Sequence, residues 1–348
     1  MEVLIDCYFD RLFSEMERSC LASRYKRREL VNYFTDVINS CAEAENLDKQ
    51  DVCERIVLSA LRYHNITMME NGSVCLLGKF HNVLYVAAKL CYDWRLANNE
   101  IVSRLLNDIF YCEKTFERLL VGAIFGTRVT HFLSGWKCDF DDREENVRAL
   151  VYFLNHATSG RLEYRCGDSS SPIKRRLIDV PMESYGQVLP LRVAVQHGAA
   201  DILLVMLRYG ASTESDETAP SPIEIILSRL SEFEEEPDDR EEKVVYPEHL
   251  VTCLRLLLRT VSTGCVRTPE HIARRSGIFS MSLYERYPSL ASRNLIPPER
   301  SGLRPAELRH LCRCRIRESL RTNWALPHGI KTLQIPESLR NYLDLLQD

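Results

Sequence analysis

The sequence lacks any pair of cysteines in the CxxC spacing, although it contains 13 cysteines in 348 residues. An odd number of cysteines without regular spacing argues against a disulfide framework, and the missing CxxC pairs argue against a zinc module. Cys312 and Cys314 have no matching cysteine or histidine pair nearby. We therefore expect free thiols in a reducing compartment, and neither a metal nor another cofactor.

Long apolar runs and a strong excess of one charge are also missing. No run of about 18 apolar residues occurs, which predicts no membrane span, and the N-terminus has no basic stretch followed by an apolar core, which predicts no signal peptide. The formal net charge of −4 provides no overall basic field for nucleic acid or an anionic membrane. We expect protein partners, in the cytoplasm or also in the nucleus.

Catalytic signatures are absent as well, since GxSxG, P-loop, HExxH and GxGxxG patterns do not occur. Acidic residues cluster at 139–145 in what we interpret as a loop before a helix, with a two-carboxylate site as the alternative. A cysteine-dependent transfer reaction stays open, because sequence alone does not show whether a histidine lies beside a cysteine. We expect no catalytic residue.

Helical periodicity dominates the first third of the chain. Apolar residues recur at helical spacing within residues 1–60 and again within 83–125. Asn71-Gly72 and Gly78 predict a loop or short hairpin over residues 66–82. We interpret residues 1–127 as a helical N-terminal region.

Residues 186–212 predict two short antiparallel helices. Pro190 lies in the first turn of the first helix, where a missing N–H costs nothing. Gly198 and Gly210 are expected to end the two helices in the left-handed conformation. The inward face of the second helix is predicted to consist of Ile202, Val205, Met206 and Leu207.

This block resembles an ankyrin repeat, although Leu189-Pro190-Leu191-Arg192 departs from the TPLH head of that repeat at Thr and His. Weaker copies of a period of about 33 residues lie near 131–160 and 219–260. Because a single repeat cannot bury its own faces, neighbours must stack on it. The resemblance implies degenerate ankyrin repeats over 128–290. The acidic run 232–242 is expected to be a solvated loop, or alternatively to attract a basic substrate.

The clearest pattern lies in residues 305–346. Leu308, Cys312 and Ile316 recur at every fourth position, so they share one helical stripe, which Leu311 widens. The opposite face is predicted to carry Arg309, Arg313, Arg317 and Arg321.

This stripe resembles the BC box of SOCS-box proteins, and the continuation through Ile335-Pro336 to Tyr342-Leu343 resembles the second half of that box. The resemblance implies that elongin B/C is bound through Leu308, Leu311, Cys312 and Ile316. It implies that a cullin of the fifth class, with its RING protein, is bound through Leu333, Ile335 and Pro336. Gln334 stands where the first proline of the cullin-contacting element is expected, which leaves the choice of cullin open.

Together, the two regions resemble the ankyrin repeat and SOCS box family. The resemblance implies an all-α fold: an ankyrin-like helical repeat stack with a C-terminal three-helix SOCS box at 300–348. It implies a non-catalytic substrate-recognition subunit of an elongin B/C–cullin–RING ubiquitin ligase, acting on an unknown protein substrate. The alternative is an ankyrin-type interaction scaffold whose last helices merely cap the stack.

Overall fold

The computed structural model describes residues 24–75, 79–126, 142–167, 172–213, 220–235, 244–262, 265–267 and 280–348, with isolated positions 6, 7, 9, 11, 12, 15 and 140. The chain divides into two compact units, residues 1–187 and 188–348. This partition differs from the three regions expected from the sequence, and the proposed domain boundaries stay a prediction.

Helices make up most of the first unit. Those described are α1 (Arg24–Glu45), α2 (Lys49–Glu70), α3 (Lys79–Asp93), α4 (Asn99–Glu113), α5 (Glu117–Phe125) and α6 (Arg143–Ser159). Asp48, Asn98 and Asp142 cap α2, α4 and α6 by accepting hydrogen bonds from backbone N–H groups in the first turn. Asp142 of the acidic cluster therefore has a structural role, whereas Asp139 and Asp141 lie outside the described residues.

Packing in this unit brings α2 against both α1 and α3, and α5 against α6. The predicted loop at 66–82 is shorter than expected at both ends, because α2 continues to Glu70 and α3 begins at Lys79. Residues 76–78 between the two helices lie outside the described part of the chain. A short antiparallel hairpin, β1 (Glu163–Cys166) with β2 (Ile173–Arg176), follows α6.

The second unit opens with two stacked helical pairs. They are α7 (Pro190–His197) with α8 (Ala200–Arg208), and α9 (Pro222–Glu235) with α10 (Glu248–Leu258). The helices α7 and α9 pack against each other, as do α8 and α10. This arrangement is ankyrin-like and matches the block and the weaker copy predicted for this region.

Helix boundaries in the first pair follow the prediction. Pro190 is the first residue of α7, and Gly198 ends this helix with φ +73°. The positive φ at Gly198 favours glycine, and a Cβ there would lie 2.5 Å from Cδ2 of His249, which would have to move to accommodate a larger residue. On α8, Ile202, Met206 and Leu207 are buried as expected, whereas Val205 is only half-buried.

The predicted acidic loop 232–242 needs a correction at its start. Residues 232–235 are the last turn of α9, and residues 236–243 lie outside the described part. Glu234 explains the extension of the helix, because its carboxylate accepts a hydrogen bond from Tyr246 Oη at 2.5 Å and lies 3.4 Å from Arg293 Nε. Of the weak repeat predicted near 131–160, only 140 and 142–160 are described, and they contain α6.

The described residues of the C-terminal part form a second antiparallel hairpin and five helices. These elements are β3 (Cys265–Arg267), β4 (Ser280–Ser282), α11 (Leu283–Arg286), α12 (Pro288–Ser292), α13 (Leu308–Thr322), α14 (Gly329–Thr332) and α15 (Glu337–Leu343). The last three helices enclose a small core of Leu326, Ile330 and Leu343. The predicted fold class, a helical stack followed by three C-terminal helices, is confirmed, with the two short hairpins as an addition. Among the described helices, none is long and apolar enough to cross a membrane.

Candidate functional site

The apolar stripe of α13 faces away from the protein. Leu308 is 77% exposed, Leu311 40% and Ile316 39%, and Cys312 is exposed as well. The buried side of α13 instead carries His310, Arg313 and Arg317. All four residues predicted to bind elongin therefore lie on one exposed face of a single helix.

Arg317 fixes the position of α13 through hydrogen bonds on its buried side. Its Nη1 donates a hydrogen bond to the backbone oxygen of Leu343 in α15 at 2.7 Å, and its Nη2 donates to that of Leu207 in α8 at 2.5 Å. Burial lowers the pKa of Arg317 to about 10, so the guanidinium stays charged at neutral pH. A charged donor placed on two backbone oxygens forms hydrogen bonds stronger than those between neutral groups.

Arg313 fixes the first half of α13. Its guanidinium lies 4.1 Å from the ring centroid of Tyr342, and that of Arg309 lies 4.0 Å from the same centroid. Arg313 also donates to Nδ1 of His310 at 3.1 Å, while Nε2 of His310 donates to the backbone oxygen of Val261 at 2.8 Å. Tyr342, which the resemblance assigned to the second half of the box, thus packs against the charged face of α13.

Two further arginines attach the C-terminal segment to the helical pairs. Arg208 at the end of α8 donates from Nε and Nη2 to both oxygens of Asp344, at 2.9 and 2.6 Å. Arg259, directly after α10, donates in the same way to Asp348 at 2.9 and 2.8 Å, and to the backbone oxygen of Leu345 at 2.7 Å. The hydrogen bond from Arg259 lowers the pKa of Asp348, and the one to Asp344 raises the pKa of Arg208.

Sequence reasoning missed these arginines as positioning residues. It placed Arg313 and Arg317 on the face opposite the stripe but did not recognise that this face is buried. Arg208 and Arg259 carried a usable signal, since each follows a leucine at the end of the second helix of its pair. A cation is favourable at a helix C-terminus. Arginines at this position in two consecutive pairs mark the ends of α8 and α10, where the C-terminal segment is bound.

The three residues assigned to cullin binding lie in one segment, between α14 and α15. Leu333 and Ile335 are half-buried, packed against the core of Leu326, Ile330 and Leu343, while Pro336 is exposed at the start of α15. Gln334 is exposed as well. Leu333 and Ile335 therefore also stabilise the local fold, and Pro336 and Gln334 present the more accessible surface.

A separate cluster in the first unit bears on the expected absence of a metal. The metal-ligating atoms of His64, Cys75, His81 and Cys112 all lie within 4.8 Å of one another. The hydrogen bond with Cys112 lowers the pKa of Cys75 well below its usual range, and hydrogen bonds with His64 and His81 add to this shift. The same hydrogen bond raises the pKa of Cys112. The missing CxxC spacing was therefore no ground for excluding a metal, because the fold assembles four donors from distant positions.

Comparison with known proteins supports the assignment of the C-terminal helices. Residues 304–344 match the family model of the SOCS box. The chain is 35% identical over 161 residues to ankyrin repeat and SOCS box protein 17 of Bos taurus, covering 45% of this chain and 50% of that protein. It is 32% identical over 164 residues to the Homo sapiens protein of the same name, again covering 45% and 50%.

This chain spans about half the length of the curated relatives it matches. No solved structure matches it significantly. The predicted SOCS box and the resemblance to ankyrin repeat and SOCS box proteins are confirmed.

Proposed function

We propose that this protein is the substrate-recognition subunit of an elongin B/C–cullin–RING ubiquitin ligase. The observation that carries this proposal is that α13 exposes its apolar stripe and buries Arg313 and Arg317. The stripe lies in the segment that matches the SOCS box. In this role, Leu308, Leu311, Cys312 and Ile316 bind elongin C. The curated relatives named as SOCS box proteins support the same role.

The energetics of the stripe fit helix-in-groove recognition, in which residues spaced by three and four anchor a helix in an apolar groove. Burying a large aliphatic side chain contributes about 1.5–3 kcal/mol. Leu308 at 77% exposure therefore has the most to gain from a partner. Because hydrogen bonds of Arg313 and Arg317 already order α13, little conformational entropy is lost when it docks.

In this proposal, the transfer of ubiquitin is catalysed by another component of the ligase. The receptor holds a bound target near a ubiquitin-charged enzyme, which raises the effective concentration of the target's lysines. The stacked pairs α7–α10 provide the surface for an unidentified protein substrate. Leu333, Ile335 and Pro336 contact a cullin of the fifth class, in the segment where Gln334 replaces the first expected proline. An adaptor of a cytoplasmic or nuclear ligase needs no catalytic residue or cofactor of its own.

The test is binding of purified elongin B/C to the full chain and to a Leu308→Asp variant. A carboxylate on the exposed stripe leaves the fold intact but places a charge in an apolar groove, so we expect affinity to fall by about 100-fold, or ~3 kcal/mol. Isothermal titration calorimetry measures the dissociation constant.

Leu303→Asp is the matched control, because Leu303 is 54% exposed and lies outside the matched SOCS box segment. It should bind elongin B/C like the unmodified chain. A wild-type chain that does not bind elongin B/C, or equal binding by both aspartate variants, would favour the scaffold alternative instead.

A further inference from the structure

Four metal-ligating side chains meet in the first unit, and each comes from a different part of the helical fold. His64 lies on α2, Cys75 in the turn after α2, His81 in the first turns of α3, and Cys112 near the end of α4. They are separated in sequence by ten, five and thirty residues. His64 and His81 are 1% and 0% exposed, and the two cysteines are half-buried.

Three nitrogen–sulfur distances in the cluster are close to the edges of a tetrahedron around one ion, and all four ligating atoms lie within 4.8 Å of one another. With zinc–sulfur and zinc–nitrogen bonds of about 2.3 and 2.0–2.1 Å, a tetrahedron has nitrogen–sulfur edges of about 3.6 Å. Nε2 of His64 lies 3.4 Å from Sγ of Cys75 and 3.4 Å from Sγ of Cys112. Nδ1 of His81 lies 3.7 Å from Sγ of Cys75.

A carboxylate orients one of the two histidines, His81, as in protein zinc sites. Nε2 of His81 donates to Oε1 of Glu113 at 2.6 Å, which leaves the lone pair on Nδ1, the atom that faces Cys75. Glu113 is itself held by Tyr85 Oη at 2.7 Å and Arg118 Nε at 3.1 Å. A metal-bound histidine typically donates its other ring N–H to a carboxylate held in this way.

We propose that His64, Cys75, His81 and Cys112 bind one zinc ion in a closed, structural Cys2His2 site. Two thiolates and two imidazoles at tetrahedral spacing select zinc over magnesium or calcium, which prefer oxygen ligands. Four protein ligands leave no open position for water or substrate, so the site is structural. The ion joins α2, α3 and α4 with the turn that follows α2.

This site also accounts for a buried polar cluster that a helical core otherwise has little reason to contain. Without an ion, these four side chains would be held together by hydrogen bonds involving sulfur, which are weaker than coordinate bonds to a metal. A zinc ion converts them into four coordinate bonds and couples its binding to folding of the unit. The proposal is independent of elongin binding, since the ligands and the SOCS box lie in different compact units.

The experiment is metal analysis of the full chain, purified under reducing conditions in metal-depleted buffer, by inductively coupled plasma mass spectrometry. We expect about one zinc per chain, falling to below about a tenth in Cys112→Ser, because a structural site requires all four ligands. Cys41→Ser is the matched control, since Cys41 is a half-buried cysteine on α1 outside the cluster, and it should retain the metal.

A cobalt(II) titration of the zinc-depleted wild-type chain keeps the proposal testable if Cys112→Ser fails to fold. Tetrahedral coordination predicts intense visible d–d bands with thiolate charge-transfer absorption. A wild-type chain without zinc and without these cobalt bands would overturn the proposal. So would zinc retained at full stoichiometry in a folded Cys112→Ser, or an intact-mass result showing a Cys75–Cys112 disulfide.

Discussion

The helices α10 and α13 have similar apolar patterns but opposite orientations in the protein. On α10, Leu250, Leu254 and Leu257 are at most 1% exposed, whereas on α13 the stripe led by Leu308 is exposed and Arg317 is buried. Periodicity therefore predicted both helices and both stripes correctly. It did not predict which side of each helix contacts the rest of the chain.

The difference between the two helices lies in the backbone oxygens that surround α13. Burying a charge is costly unless hydrogen bonds compensate it. The helix ends near α13 provide such acceptors, among them the backbone oxygens of Leu207 and Leu343, which Arg317 reaches. Because the guanidinium of Arg317 is satisfied in this way, α13 buries Arg313 and Arg317 and exposes its apolar stripe, whereas α10 buries its leucines.

The largest contrast is expected from alanine substitutions in the two stripes. Leu254→Ala should lower the free energy of unfolding by about 3 kcal/mol, because it leaves a cavity in a closed core. Leu308→Ala should change it by less than about 0.5 kcal/mol, because the side chain already contacts water. Urea denaturation followed by circular dichroism measures both values, and similar losses for the two variants would contradict the inverted orientation.

An intermediate effect is expected from the buried arginine. Arg317→Ala should lower the free energy of unfolding by about 2 kcal/mol, since it removes two charge-assisted hydrogen bonds to buried backbone oxygens. Arg315→Ala is the control, because Arg315 is exposed on the same helix, and it should stay within about 0.5 kcal/mol of wild type. Equal stability of the two variants in the same urea assay would mean that arginine burial does not hold α13.

The smallest effect is a pH dependence at the start of α13. Burial lowers the pKa of His310, which must stay neutral for Nδ1 to accept from Arg313. Below the pKa of an unfolded histidine, about 6.5, the unfolded chain binds a proton that the folded chain resists. The contribution of neutral His310 to the free energy of unfolding is therefore complete above about pH 6.5 and decreases as the pH falls below it.

Replacing His310 by glutamine tests this contribution, because glutamine is able to donate to Val261 but does not titrate. Thermal unfolding at several pH values between 7 and 5 should show a steeper loss of stability for wild type than for His310→Gln. His328, whose pKa burial also lowers, is present in both chains and contributes equally. Parallel pH profiles would show that His310 makes no such contribution.

Much of the second unit was predictable because its signals are local. Pro190 and Gly198 lie at the ends of α7, where backbone conformation and neighbouring atoms restrict the choice of residue. The spacing of Leu308, Cys312 and Ile316 likewise predicts one helical stripe, and the resemblance of this stripe and of the segment through Leu343 to a SOCS box provides the assignment. The last turn of α9 was predicted wrongly, because Tyr246 and Arg293, which pair with Glu234, come from later parts of the chain.

Metal ligands were the least predictable feature. His64 and Cys112 are 48 positions apart, and their meeting depends on how α2, α3 and α4 pack. A zinc motif is recognisable in sequence only when its ligands lie in short loops with fixed spacing. Here rigid helices set the spacing, so no short pattern appears.

The sequence by itself determined where α7 starts and stops and which residues form the apolar stripe of α13, because these follow from chain geometry over one or two turns. Its resemblance to known SOCS boxes identified the C-terminal segment. Only the tertiary structure decided that Arg313 and Arg317 are buried on the other side of α13 and that His64, Cys75, His81 and Cys112 converge. Both outcomes depend on groups distant in sequence, the backbone oxygens that satisfy Arg317 and the helices that carry the four ligands. Their proximity arises only when the whole unit is packed.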